Sequence, residues 1–205
     1  MGKRIGMYLG GLAFTAIGIA FIILSFIGAG PWDTVAVGLN EHLGLTIGTW
    51  SILTQVTFTV ITWTIEKTRL RIESVIPILI RSAFLDFWIY IVFKNANFSS
   101  SWELQLVCFI VGLVITGMGI GIYMEANLPK TPIDGMMVAI CNRFGWSFQV
   151  VRMGIETTGA VLGFLLRGPV GLGTIATALL LGKIIQIVNN RVKRILQVPK
   201  TTHSF

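Results

Sequence analysis

Long apolar stretches alternate with short polar ones along this chain, and the length of each stretch decides what it can become. A helix needs about 20 mostly apolar residues to cross a hydrocarbon layer roughly 30 Å thick. Such runs fall at about Met7 to Phe26, Ile47 to Ile65, Ile72 to Phe93, Leu104 to Met124, Trp146 to Leu166, and from the Arg167 to Thr174 turn to about Val188. Six spanning helices are predicted. Two shorter segments lie after the first and fourth runs, each opened by a break: Gly28-Ala29-Gly30-Pro31 and Pro129 to Pro132. Glycine relaxes the backbone there and proline withholds an N–H, so one helix should stop and another begin. The helices that follow, about Trp32 to His42 and Ile133 to Asn142, are each predicted to cover only about half the bilayer core. Neither can span alone.

The pattern is written twice. Pro31 and Pro132, Asp33 and Asp134, Val37 and Val138, and Gly44 and Gly145 all stand 101 positions apart. The same offset pairs Gly11 with Gly112, Leu12 with Leu113, Thr15 with Thr116, Gly18 with Gly119 and Ile19 with Ile120. Proline and aspartate are scarce in apolar sequence, so an ungapped match of this length marks two copies of one unit, about 7–93 and 104–190. Each copy holds three spans and one half helix. An odd number of crossings turns the second copy upside down, which predicts inverted repeats about an axis in the membrane plane.

Composition excludes the soluble alternatives. The chain is 54% hydrophobic and 12% charged, with mean hydropathy +0.79, too apolar to cover a water-soluble globule. The expected fold is therefore all-α, a single transmembrane domain over residues 1–205, about six transmembrane helices plus two half-length helices. The start, MGKRIG before an apolar run, is read as a first span because that run exceeds a usual signal core and has a counterpart in mid-chain. The net charge of +7 does not point to nucleic acid, because the basic residues sit between and beyond the apolar runs. With six spans and an inner N-terminus, Lys3, Arg4, Lys67, Arg69, Arg71, Lys130, Arg143, Arg191, Lys193, Arg194 and Lys200 share the cytoplasmic side, leaving Lys94 and Arg167 outside. Eight spans would move the Lys67, Arg69, Arg71 cluster and Lys130 outward. The positive-inside rule selects six, with both termini cytoplasmic.

Charged and amide side chains within apolar runs are the candidate chemistry. Asp33 and Asp134 open the two half helices, where an aspartate can cap backbone N–H groups or hold an ion or solute. Arg152 and Glu156 stand one helical turn apart, and their counterparts in the first copy are Ser51 and Gln55, also polar and also four apart. Two polar pairs related in this way would face each other across the bundle, as a structural ion pair or as a cavity lining. Arg81 and Asp86 lie within the third run, Arg81 near the bundle centre and Asp86 with a different partner. Lys183 can snorkel to the inner surface. Trp32, Trp63, Trp102 and Trp146 read as interfacial anchors, and Gly171-Leu172-Gly173-Thr174 as a tight packing turn, since it lacks the lysine of a phosphate-binding loop. Cys108 and Cys141 read as small buried hydrophobes. His42 and His203 share no metal or catalytic partner, and no nucleophile–base arrangement occurs, so neither an enzyme nor a cofactor or metal is expected.

The words GPWD, GLTIGTWS, TPIDGMM, VRMGIE and GPVGLGTI, in this order, resemble the bacterial YczE/YyaS/YitT-like integral membrane proteins, over about Gly11 to Ile187. The second word departs from the glycine-proline-arginine-aspartate more usual in the family, having Lys130-Thr131-Pro132-Ile133-Asp134. The resemblance implies a small multi-spanning protein of the bacterial cytoplasmic membrane, some of whose relatives are linked to the production of secreted peptide metabolites. The expected function is a secondary transporter or permease for a small polar solute, working by alternating access and coupled to H⁺ or Na⁺. The alternative is a non-transporting accessory protein that supports a biosynthetic or export complex. Expected partners are membrane lipid and a small-molecule solute, with a homodimer or a partner membrane protein left open and nucleic acid excluded.

Overall fold

A computed structural model describes residues 2–67, 72–96, 98–126, 128–129 and 131–196. The side chain of Asp134, most of the basic linker after Lys67, and Lys130, Lys200 and His203 lie outside what is described. Eight α-helices follow in order: α1 (Gly2–Leu24), α2 (Pro31–Leu43), α3 (Ile47–Glu66), α4 (Val75–Asp86), α5 (Trp102–Met124), α6 (Pro132–Phe144), α7 (Phe148–Leu165) and α8 (Leu172–Leu196). A short 3₁₀ turn (Ile72–Ser74) leads into α4, and a π-helical stretch (Phe87–Val92) continues it. No strand occurs among the described residues.

The two half helices are built alike because their sequences give the same start and stop. Pro31 and Pro132 occupy the first positions, where a missing N–H costs nothing. Gly44 and Gly145 end them at φ 71° and 69°, a left-handed turn that favours glycine, and each N–H returns to the helix, on Asn40 and Cys141. The following helices are also capped alike: the side chains of Thr46 and Ser147, again 101 apart, accept from Thr49 N and Val150 N.

Packing follows the repeat. α1 pairs with α4 as α5 pairs with α8, α2 packs on α7 as α6 packs on α3, and α1 and α5, the two equivalent helices, lie against each other. The α1–α5 crossing is antiparallel. A Cβ on Gly11 would meet Gly119 O at 2.9 Å and Tyr123, and one on Gly18 would meet Thr116 N at 2.5 Å and Gly112 O at 2.7 Å. Each contact maps onto another when the copies are exchanged, since Gly11 corresponds to Gly112 and Gly18 to Gly119. Small residues at these points let the backbones touch, the usual basis of close helix packing in lipid.

Among the described residues four helices are long and apolar enough to cross a membrane: Arg4–Leu24, Val75–Val92, Trp102–Met124 and Leu172–Val192. α3 and α7 are not among them. α3 is diluted by threonines and by Ser51 and Gln55, and α7 carries Arg152 and Glu156. On α3 one polar face is turned inward, with Ser51, Gln55, Thr59 and Thr62 all buried, while Thr57 and Thr64 are exposed. The glycine turn before α8 is a packing element. Gly173 N donates to Ile27 O at 3.2 Å and Ala29 N to Pro169 O at 3.0 Å, joining the first break to the α7–α8 loop.

Candidate functional site

A cavity of about 250 Å³ lies inside the bundle, and all eight helices contribute to its wall. Both half helices bring their N-terminal ends to it: Gly30 to Asp33 from α2, and Thr131 and Ile133 from α6. The depth of α2 follows from its neighbour. Gly159 of α7 lies against the Trp32 ring, Gly163 against Thr34, and Gly38 against Leu166 and Gly168. α2 therefore runs in the same direction as α7, from the middle of that helix at Trp32 to its end at Gly38. Its positive dipole end points inward.

Six of the eight residues singled out from the sequence line this one cavity: Asp33, Ser51, Gln55, Arg81, Arg152 and Glu156. The Arg81 guanidinium donates to Ser51 Oγ at 2.8 Å, while its Nε is buried with no partner among the described residues. Arg81 also acts electrostatically on Asp33, yet no contact ion pair joins them. Asp33 is the third residue of α2, not its cap. The cap is Gly30, over which the carboxylate folds, and among the described residues that carboxylate accepts no hydrogen bond. Arg152 and Glu156 form an ion pair at 3.5 Å, Arg152 the more exposed of the two. Ser51 and Arg152 occupy equivalent positions, so each copy brings a guanidinium to this region from a different helix, Arg81 from α4 and Arg152 from α7.

Two candidates stand apart. Asp134 is the third residue of α6 by its backbone, and its side chain lies outside what is described. Asp86 does not reach the cavity. It holds the start of α3, accepting from Gly48 N at 2.8 Å and from the Thr46 hydroxyl. Asp86→Ala should therefore lower stability by about 2 kcal/mol, the worth of hydrogen bonds to a charged group, and leave solute binding unchanged. Thermal unfolding in detergent, followed beside a binding assay, checks both.

The cavity wall also takes in residues outside that set of eight. Trp32 is a correction: it is half-buried in the cavity wall, edge-on to Phe58 with ring centroids 4.5 Å apart, rather than an interfacial anchor. Its position at the start of α2, packed against the middle of α7, is the reason. Among the described residues its Nε1 is buried without a partner, as are Gln55 Oε1 and Thr177 Oγ1. Thr177 had a visible signal, a hydroxyl within the apolar run of α8. Trp63, Trp102 and Trp146 are all exposed. Cys108 and Cys141 are buried free thiols. No cluster of three or more metal-ligating side chains occurs among the described residues.

Comparison with known proteins places these features in a family. Residues 2–190 match DUF6198, described as a family of unknown function. The chain is 32% identical over 180 residues to the uncharacterized membrane protein YczE of Bacillus subtilis, covering 87% of this chain and 82% of that protein. It is 30% identical over 189 residues to the uncharacterized protein YyaS of the same organism, covering 92% and 94%. An uncharacterized protein of Haemophilus influenzae is 32% identical over 197 residues, covering 96% and 88%. No solved structure matches the chain.

Proposed function

We propose that this chain, which belongs to the DUF6198 family of membrane proteins related to YczE and YyaS, is a secondary permease for a small polar solute. Two inverted copies of three spans each move by alternating access around the central cavity, with both termini cytoplasmic. One observation carries the reading: the N-termini of two half-length helices converge on a charged cavity inside an otherwise apolar bundle. Irregular backbone at membrane depth is tolerated where it is buried in protein or lines a wet cavity, and paired broken helices in two halves are the usual setting of a transporter site. The exchange symmetry of the helix contacts and the antiparallel α1–α5 crossing support inversion. The burial of the polar faces of α3 supports counting it, with its counterpart α7, as a span.

Within this scheme Arg81 and the helix dipoles hold the negative part of the solute. Asp33, whose carboxylate meets no hydrogen-bond donor among the described residues, takes the coupling proton or Na⁺. Flux into proteoliposomes of the purified chain tests this, with small zwitterionic and polar solutes outside and a pH-sensitive dye inside. Asp33→Asn should preserve folding while reducing coupled uptake at least tenfold, because asparagine keeps the shape but carries no titratable charge. Equal uptake by the variant would remove the coupling role. Absence of any flux from the unaltered chain, with a stable partner recovered from membranes, would favour the accessory reading instead.

A further inference from the structure

The two copies differ at one seam. α3 and α4 pack closely, whereas their counterparts α7 and α8 make few contacts. Ile78 of α4 is 0% exposed, while Leu179, its equivalent on α8, is 66% exposed. Ser82 and Leu85 are likewise buried on α4, and their equivalents Lys183 and Gln186 are exposed on α8. Between α7 and α8 this leaves a groove of about 960 Å³ whose walls are mainly apolar, among them Val161, Phe164, Leu172, Ile175 and Leu179. At its inner end the groove shares Pro31, Arg152, Glu156 and Ala178 with the polar cavity. Polar chamber and apolar channel adjoin at these four residues.

The chamber defines the chemistry of what enters it. Its described charges balance, with Asp33 and Glu156 against Arg81 and Arg152. Among the described residues its buried groups without a partner are of both kinds, Arg81 Nε and Trp32 Nε1 as donors and Gln55 Oε1 as an acceptor, and the Asp33 carboxylate stands on the same wall. Gln55 and Thr177 are 6% and 5% exposed, so water outside the chamber does not serve them. A buried polar group without a partner is costly, and a zwitterion satisfies both kinds at once. At about 250 Å³ the chamber lies below the range of about 300–1,000 Å³ usual for drug-sized ligands, so it suits only a small head.

We propose that the solute is an amphipath with a small zwitterionic head, entering sideways from the bilayer with its head in the chamber and its apolar chain in the α7–α8 groove. This rests on the permease reading for the chamber and revises its solute: the small polar part is only the head of an amphipath, and the groove takes the remainder. The groove keeps the acyl chain among apolar side chains while the head is bound, so the chain need not enter water and the head never crosses hydrocarbon unaccompanied.

Native mass spectrometry of the full chain, released from detergent, tests the proposal with palmitoyl lysophosphatidylethanolamine and with glycerophosphoethanolamine, its head without the chain. One lyso-lipid should bind per protein, and the head alone at least a hundredfold more weakly. Ala160→Trp, which fills the groove beside the chamber, and Leu179→Gln, which makes the groove polar without added bulk, should each weaken lyso-lipid binding at least tenfold. Arg81→Gln should weaken lyso-lipid binding as well. Three results would overturn the proposal: no lyso-lipid binding, equal binding of the two probes, or lyso-lipid binding unchanged in both groove variants. Dimers lost in both groove variants would also overturn it, assigning the groove to a second copy. Lyso-lipid binding that is lost in the groove variants but indifferent to Arg81→Gln would count against the chamber, and so against the permease reading itself.

Discussion

Leucine in place of Gly18 is expected to leave little or no monodisperse protein after purification. A Cβ alone at this position would lie 2.5 Å from Thr116 N and 2.7 Å from Gly112 O, and both are backbone atoms that cannot swing aside. The longer side chain has to part α1 from α5. That crossing also carries the Gly11 and Gly119 contacts, so the separation would cost about 3 kcal/mol or more, against a net stability of roughly 5–15 kcal/mol for a typical domain. Gly119→Leu should behave the same way, because it meets the same crossing from the other copy. Gly10→Ala is the control: nothing lies within 4 Å of its added carbon, and the change should not destabilise, alanine being the better helix former by up to about 1 kcal/mol. Size-exclusion profiles and thermal midpoints separate the three variants. A well-behaved Gly18→Leu protein would mean that α1 and α5 do not touch here.

The second large effect is at Arg81. Removing its guanidinium takes away the donor to Ser51 and an opposing charge that acts on the Asp33 carboxylate. Hydrogen bonds to charged groups are worth about 1.5–3 kcal/mol, which converts to a roughly 10- to 100-fold loss of solute affinity for Arg81→Gln. Stability should fall too, because an uncompensated charge is costly away from water. The double variant Asp33→Asn, Arg81→Gln should regain much of the lost stability while binding stays weak. That pattern, read from a double-mutant cycle of melting and binding, distinguishes a binding chamber from a merely structural charge pair. Recovery of binding along with stability would contradict the chamber.

Much of this arrangement was legible in the sequence, and the repeat is the reason. Ser51 and Gln55 are unremarkable as single residues and stand out only as counterparts of Arg152 and Glu156. Pro31 with Gly44, and Pro132 with Gly145, mark the ends of the half helices because each does something at a terminus that other residues do poorly. The limits of the reading are equally physical. Trp32 looked interfacial because a tryptophan at a helix end usually is, and only the inward direction of α2 puts it in the chamber. Asp86 looked like a site residue because a carboxylate in an apolar run is costly, but a helix start needing acceptors is an equally good reason for one. Thr177 and the open α7–α8 seam depend on how side chains of separate helices meet. Leu179 and Ile78 are both large aliphatic residues at equivalent positions, and nothing in their identity says that one is covered and the other bare.

Inversion of the two copies underlies every functional statement made above, and the side of the membrane reached by each half helix tests it. Leu43 and Phe144 are equivalent, exposed residues at the outer ends of α2 and α6. Each can be replaced singly by cysteine in a chain whose Cys108 and Cys141 are alanine, then labelled in intact spheroplasts with a membrane-impermeant maleimide. Residue 43 should react in intact cells and residue 144 only after permeabilisation. Labelling of both from the same side would contradict the inverted arrangement and the central chamber built on it.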